Sequence, residues 1–360
     1  MDSYPIKKIL RDLVAFKSYT VDECNRCIDY IHATLRERNI PCEILVNKGM
    51  KILVVTVGQG KRCLMLNAHI DVVQNDPAKF TLREEGDRLI GPGIFDMKAS
   101  AAVFMEILGE IDFSRLTSRV MFQFVPDEEV GGEEGTGYLA GKGYTGDFLI
   151  CCEPTNLKIS VQSKGACFLT ITVEGKASHG SRPWLGENAI LKAVQLYQEL
   201  QKLPYISQSS ELFKCASVNL TKIEGGDSVN KTPDHCRMTL DVRYLPEQEG
   251  DEVMGQIQTV ADRYGATLGE IRASDPIVTR LDNQDVQHLH RICRKQYPDC
   301  ILFGQDGSSD ARFYTPLGVP GIEFGPTGGG QHSAEEYIEF PKLLIYKDVL
   351  KEFIINFGRE

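Results

Sequence analysis

Three apolar runs in this chain each break off at an acid or an imidazole. LMLNAHID ends in His69 and Asp71, VMFQFVPDEE in Glu128 and Glu129, and FLICCE in Glu153. GPGIFDMKAS sets Asp96 just after a Gly-Pro-Gly turn, and GPTGGGQHSAEEYI carries His332 far downstream. Short β-prone runs closed by turn residues read as strands. The strands alternate with helical patterns, which implies an α/β layer with a largely parallel sheet. In such sheets ligands bind at the carboxyl ends of the strands. His69, Glu128, Glu129 and Glu153 all fall at those ends.

The rest of the chain supports that architecture. Apolar residues recur at helical spacing from Ile6 to Leu35, and Thr20 with Glu23 fits a capping box, so two helices come first. CEILV, KILVVTVG and RCLMLNAH read as strands, and 97–110 reads as a helix entered from the Asp96 turn. Near residue 164 the pattern changes to alternating strands and two amphipathic helices in the order β-α-β-β-α-β. The expected division is therefore a catalytic domain of residues 1–163 and 275–360, with an inserted ferredoxin-like α+β domain at 164–274. At 360 residues, two domains are the default.

Composition excludes several function classes. The formal net charge of −10 argues against nucleic-acid or anionic-membrane partners. No stretch reaches the roughly 18–20 apolar residues of a membrane span. The opening MDSYPIKKILRDLVAF lacks a basic segment followed by an apolar core, so cytoplasm is the expected compartment. The chain has eleven cysteines, an odd number, and Cys63, Cys151, Cys152, Cys167 and Cys215 sit in apolar runs. They read as buried reduced thiols. GGEEGTG and GPTGGGQ lack the strand–GxxxxGK[ST]–helix layout of a phosphate loop.

Two imidazoles with several carboxylates suit divalent metals, zinc above all, with cobalt or manganese able to substitute. Two such ions held close together need an anion between them. Asp96, fixed by its tight turn, is the candidate bridge. His69 and Glu153 would complete one ion, and Glu129 and His332 the other. Asp71, placed on the same face of a continuing strand, can accept the second ring N–H of His69 and fix its tautomer. Glu128 and Glu129 cannot easily bind one ion from adjacent strand positions. One ligates, and the other is free as a general base beside metal-activated water. Each residue alone has a plainer reading: His69 as a structural histidine, Asp96 as a helix cap, the Glu pair as a solvated strand end.

Taken together, HIDVV, GPGIFDMK, PDEEVGG, CEPTN and GQHSAEEY resemble the five metal-site motifs of a dizinc aminoacylase family. That family includes acetylornithine deacetylase, succinyl-diaminopimelate desuccinylase and the glutamate carboxypeptidases. The resemblance covers nearly the whole chain, insert included. It implies a zinc-peptidase-like catalytic fold, Asp96 as bridge and Glu128 as base. It further implies that His179, in GKASHGSRPW, stabilises the oxyanion, often from the partner subunit of a dimer. Asn230 in GGDSVNKTP and Arg243 in DVRY match substrate-carboxylate positions, although Arg243 could simply pair with a neighbouring carboxylate. GSSDARFY resembles a substrate-contacting loop. Two departures stand out. Ala99 replaces the usual Gly after Met-Lys. SVQSKGA has only Lys164 where desuccinylases carry an Arg pair, which weakens the succinyl reading.

The expected protein is a homodimeric, zinc-dependent amidohydrolase that removes an acetyl group from an N-acyl amino acid such as N-acetylornithine. A dipeptidase or carboxypeptidase shares that chemistry. A non-catalytic binding protein is the reading from another class, and the intact Glu128 argues against it.

Overall fold

The computed structural model describes residues 4–359. The chain divides into two compact units. The larger comprises Met1–Val161, Val278–Phe303 and Ser309–Glu360; the smaller comprises Gln162–Ile277 and Gly304–Ser308.

The larger unit is built on an eight-stranded mixed sheet. Its order is Glu43–Asn47, Met50–Val57, Arg119–Val125, Cys63–His69, Phe148–Cys151, Gly321–Glu323, Ile159–Ser163 and Leu302–Gln305. The four central strands, from Arg119–Val125 to Gly321–Glu323, run parallel. The first three strands pair antiparallel to one another. Every residue of Cys63–His69 and of Phe148–Cys151 is buried, which fixes these strands in place. Helices Pro5–Ala15 and Val21–Glu37 come first, and the Thr20 side chain caps the second by accepting from the Glu23 N–H. Helix Ala99–Glu110 is buried along nearly its whole length, as expected of a helix apolar all round. Helices Gln284–Gln296 and Phe340–Asn356 complete the unit.

The smaller unit runs strand Gly165–Glu174, helix Ala189–Leu200, strands Ser217–Gly225 and His235–Tyr244, helix Gly250–Arg263 and strand Thr267–Ser274. Its sheet is antiparallel throughout. Numbered in chain order, the strands lie 4-1-3-2 across it, the ferredoxin-like arrangement. Leu169, Ile171 and Val173 on one strand and Met238, Leu240 and Val242 on its neighbour point to one face and are buried there. Each such side chain contributes roughly 1.5–3 kcal/mol on burial.

Four local expectations are corrected. The strand before Glu128 ends at Val125, because Pro126 follows and turns the chain. Glu128–Val130 is a single 3-10 turn rather than a strand end. Strand Cys63–His69 stops at His69, so Asp71 lies beyond it, not on its continuation. The helix expected at 97–110 begins at Ala99, after an irregular turn Ile94–Lys98. Cys215 is exposed, whereas Cys63, Cys151, Cys152 and Cys167 are buried; all eleven thiols are free. Among the described residues no helix is long and apolar enough to cross a membrane.

Candidate metal centre

The three strands whose ends carry the candidate ligands are parallel neighbours. His69 stands beside Val125, and Asn67 beside Cys151. His69 is itself the last residue of its strand, and the chain leaving the other two strand ends delivers the Glu128–Glu129 turn and Glu153 to the same place.

Asp96 reaches the same place from a different element. Gly93 takes a left-handed conformation (φ 72°) ahead of it, and a Cβ there would lie 2.1 Å from Val72 Cγ1. Only glycine allows both the turn and the close approach. The Asp96–Met97 peptide is cis. Asp96 presents one carboxylate oxygen to each imidazole: Oδ1 lies 3.0 Å from His69 Nε2, and Oδ2 lies 3.3 Å from His332 Nε2. Glu153 Oε2 is 3.9 Å from His69 Nε2, and Glu129 Oε1 is 3.3 Å from His332 Nε2. Two donor groups result, His69–Asp96–Glu153 and Asp96–Glu129–His332, each with ligand atoms within 4.8 Å of one another. Asp96 belongs to both. Glu128 belongs to neither, and lies within electrostatic reach of His69, Asp71 and Asp96.

The electrostatics call for cations. Burial raises Glu129 to about 7 and pushes Glu128 and Glu153 up as well. Asp96 is driven far down: burial opposes this, but hydrogen bonds from His332 and His69 prevail. His332 rises to about 9 through its hydrogen bond to Asp96. Burial resists protonation of His69, yet Asp71, Asp96 and Glu153 raise it well above the imidazole range. Five carboxylates meet two imidazoles here. If the imidazoles are neutral ligands, two dications offset four of the five negative charges. One imidazole and two carboxylates per group is also a donor set that zinc-type ions accept with a coordination position left open. The residues fit two divalent ions.

Asp71 acts on both sides of this arrangement. The Nδ1 of His69 lies 3.0 Å from the Asp71 backbone carbonyl and 3.4 Å from its Oδ1. The nearer acceptor is thus the main chain, not the carboxylate expected from the sequence. The carboxylate instead accepts the backbone N–H groups of Glu128 (3.2 Å) and Glu129 (2.9 Å).

Several residues around the centre carried no assignment from the sequence. Gln331 Nε2 donates to Asp96 Oδ2. Glu336, in the quoted GQHSAEEY, accepts three backbone N–H groups of the Asp96 turn. Asp310, in the quoted GSSDARFY, is fully buried, and burial pushes it up to about 8, with Glu128 adding to the rise. It accepts from Thr136 Oγ1, which in turn accepts from Asn67 Nδ2. The only signal for these three was membership in a motif whose neighbouring residue had a clearer role.

His179, Asn230 and Arg243 belong to the smaller unit. His179 and Asn230 are exposed. They are adjacent in space: Gly180 N–H donates to the Asn230 carbonyl at 2.7 Å. His179 Nδ1 lies 2.8 Å from Ser181 Oγ. The Arg243 guanidinium is half-buried, pairs with Asp241 at 2.7 Å and lies over the Phe168 ring.

Comparison with known proteins fits this geometry. A "Probable succinyl-diaminopimelate desuccinylase" of Staphylococcus epidermidis is 25% identical, with 96% of this chain and 97% of that protein covered. The fold matches a Staphylococcus aureus tripeptidase with a TM-score of 0.82 at 19% identity, covering 99% of this chain and 98% of that one. It matches an M20 family metallo-carboxypeptidase from Sulfolobus solfataricus equally well, with a TM-score of 0.82, 17% identity and 99% of each chain covered. The sequence profile of peptidase family M20/M25/M40 matches residues 65–356. That span takes in all five ligand segments, so the chain that joins them through a shared Asp96 belongs to peptidase family M20/M25/M40, whose members hydrolyse amide bonds.

Proposed function

We propose that this chain removes the acyl group, an acetyl group in the leading reading, from a small N-acyl amino acid such as N-acetylornithine. The observation that carries the proposal is Glu128: a half-buried carboxylate outside both donor groups and beside their shared Asp96. A binding protein has no use for such a base. His69, Asp96 and Glu153 would hold one divalent ion, and Asp96, Glu129 and His332 the other, with zinc the expected metal and cobalt or manganese able to replace it. When bound, the two ions polarise the amide carbonyl and acidify water. Glu128 accepts a proton from a water molecule as it attacks the carbonyl carbon. The same carboxyl then delivers the proton to the amide nitrogen as the C–N bond breaks, leaving a carboxylate and an amine. Asp71 holds Glu128 and the His69 ring in place for this transfer.

In the smaller unit, His179 donates a hydrogen bond to the oxyanion, and Asn230 and Arg243 receive the substrate carboxylate. The inserted domain forms a homodimer in the cytoplasm. Leu191 and Val194, exposed on one side of helix Ala189–Leu200, support an interface there. A second reading, removal of a succinyl group, is supported by the name of the staphylococcal relative. The test is hydrolysis of a panel of N-acetyl amino acids, N-succinyl-diaminopimelate, dipeptides and acyl-glutamates by metal-analysed protein, with and without chelator. Chelator-sensitive acetate release is the expected result. Succinate release moves the assignment to the second reading, and cleavage of dipeptides alone moves it to a peptidase. Two bound ions with no turnover of any panel member would overturn the enzymatic reading.

A further inference from the structure

The shared ligand sits on backbone that no regular element supports. Asp96 has φ −120° and ψ 93°, outside helical values, between the left-handed Gly93 and the start of helix Ala99–Glu110. Three N–H groups of this turn converge on one buried side chain. Glu336 Oε1 accepts from Phe95 at 2.7 Å and Asp96 at 2.8 Å, and Oε2 accepts from Gly93 at 3.1 Å. The Glu336 backbone carbonyl takes the Gly91 N–H at 2.8 Å. The same segment also holds the side chain: Gln331 and His332, a few residues before Glu336, both reach Asp96 Oδ2. Residues 331–336 thus grip the Asp96 turn by its backbone and by its carboxylate.

We infer that Glu336 is a positioning residue that aims the Asp96 carboxylate between the two donor groups. The inference rests on the reading of Asp96 as a ligand shared by two ions. A carboxylate suits the task because each of its two oxygens accepts on its own side. A glutamine keeps one acceptor and turns an N–H₂ donor toward either the Gly93 N–H or the other two. Partners that orient metal ligands typically change metal affinity by roughly 10–100-fold when removed. Because Asp96 serves both groups, the loss must fall on both ions together. Loss of His332, a member of one group alone, must fall on one.

The experiment titrates chelator-stripped full-length protein with Co²⁺ and Zn²⁺ by calorimetry and visible absorption, for wild type, Glu336→Ala, Glu336→Gln and His332→Ala. Melting temperatures of the stripped proteins are recorded alongside. Expected are roughly 10–100-fold weaker binding of both ions in Glu336→Ala, a smaller loss at both in Glu336→Gln, and loss at one ion in His332→Ala. A Glu336→Ala protein that melts earlier but binds both ions as the wild type does would overturn the inference, since that is what support of the fold alone predicts. If Glu336→Ala does not fold, Glu336→Gln decides: weaker binding of both ions supports the role, and wild-type affinity for either overturns it. A wild-type protein that takes up no pair of ions overturns the two-ion reading, and the Glu336 role with it.

Discussion

The carboxylate of Asp71 accepts the backbone N–H of Glu129 at 2.9 Å, while the backbone carbonyl of the same residue faces the Nδ1 of His69. One residue thus orients a ligand of one donor group with its main chain and a ligand of the other with its side chain. Asp71→Ala removes the hold on the Glu128–Glu129 turn and the carboxylate oxygen near His69, and leaves the main-chain carbonyl facing the ring. It should lower kcat by roughly 10–100-fold, with Asp71→Asn recovering part of the loss through its one remaining acceptor. Steady-state kinetics on protein of known metal content checks this; equal rates in Asp71→Ala and wild type would show that the turn holds itself.

Glu128→Gln keeps the shape of the proposed base and removes its basicity. It should cost roughly 10²–10⁴-fold in kcat, the span of general-base contributions, with both ions still bound. Product formation followed alongside metal analysis separates this outcome from simple loss of a ligand. Substantial turnover in the variant would reassign the base.

Removing the ions should destabilise the larger unit, because Asp96, Glu129 and Glu153 then repel one another around two imidazoles. Restoring an ion at a hundred times its dissociation constant should stabilise the protein by about 2.7 kcal/mol for each site. Differential scanning calorimetry with chelator, then with graded Zn²⁺, measures the rise. A melting temperature indifferent to metal would mean that the groups bind no ion.

Asp310 gives a pH dependence with a defined sign. Its folded value of about 8 lies above the roughly 4 of an unfolded aspartate. Between those values folding takes up a proton, so the unfolded state binds fewer. Stability therefore falls as pH rises from about 4 to about 8, by up to about 1.4 kcal/mol per pH unit, and levels off above. Asp310→Asn stays neutral throughout. Its stability relative to wild type should improve across that window, as read from urea unfolding of metal-free protein at pH 5 and pH 8. A constant difference would place the charge elsewhere.

Gly93→Ala forces a Cβ into Val72 at a positive φ. Overpacking and left-handed strain together should cost roughly 2–4 kcal/mol, and the displaced Asp96 should weaken both ions. Chemical unfolding and metal titration report the two effects separately.

How much of this was readable beforehand follows from the range of each interaction. His69 and Glu153 were legible because a buried strand delivers them directly and the apolar run marks the strand. The second role of Asp71 was not legible because the turn after Pro126, which brings two N–H groups back to its carboxylate, leaves no periodic trace. Glu335-Glu336 looks like a solvated charge pair. Only the pairing of Tyr337 with Ile90, far apart in the chain, buries Glu336 beneath the Asp96 turn. Cys215 shows the opposite error, an apolar-looking neighbourhood whose thiol faces out. The β-α-β-β-α-β order of the insert was legible because strand His235–Tyr244 alternates buried with more exposed residues and both helices carry a buried stripe.

The place of strand Gly321–Glu323, between Phe148–Cys151 and Ile159–Ser163, sets a schedule for biosynthesis. It leaves the ribosome about 170 residues after the strand it must pair with, a delay of roughly 10–30 s at ordinary elongation rates. During that interval the edge of Phe148–Cys151, apolar along its whole length, waits without its neighbour. The smaller unit, encoded in between as a nearly continuous stretch, can fold first. Nascent chains stalled inside it should therefore be the ones that chaperones hold and that aggregate most readily.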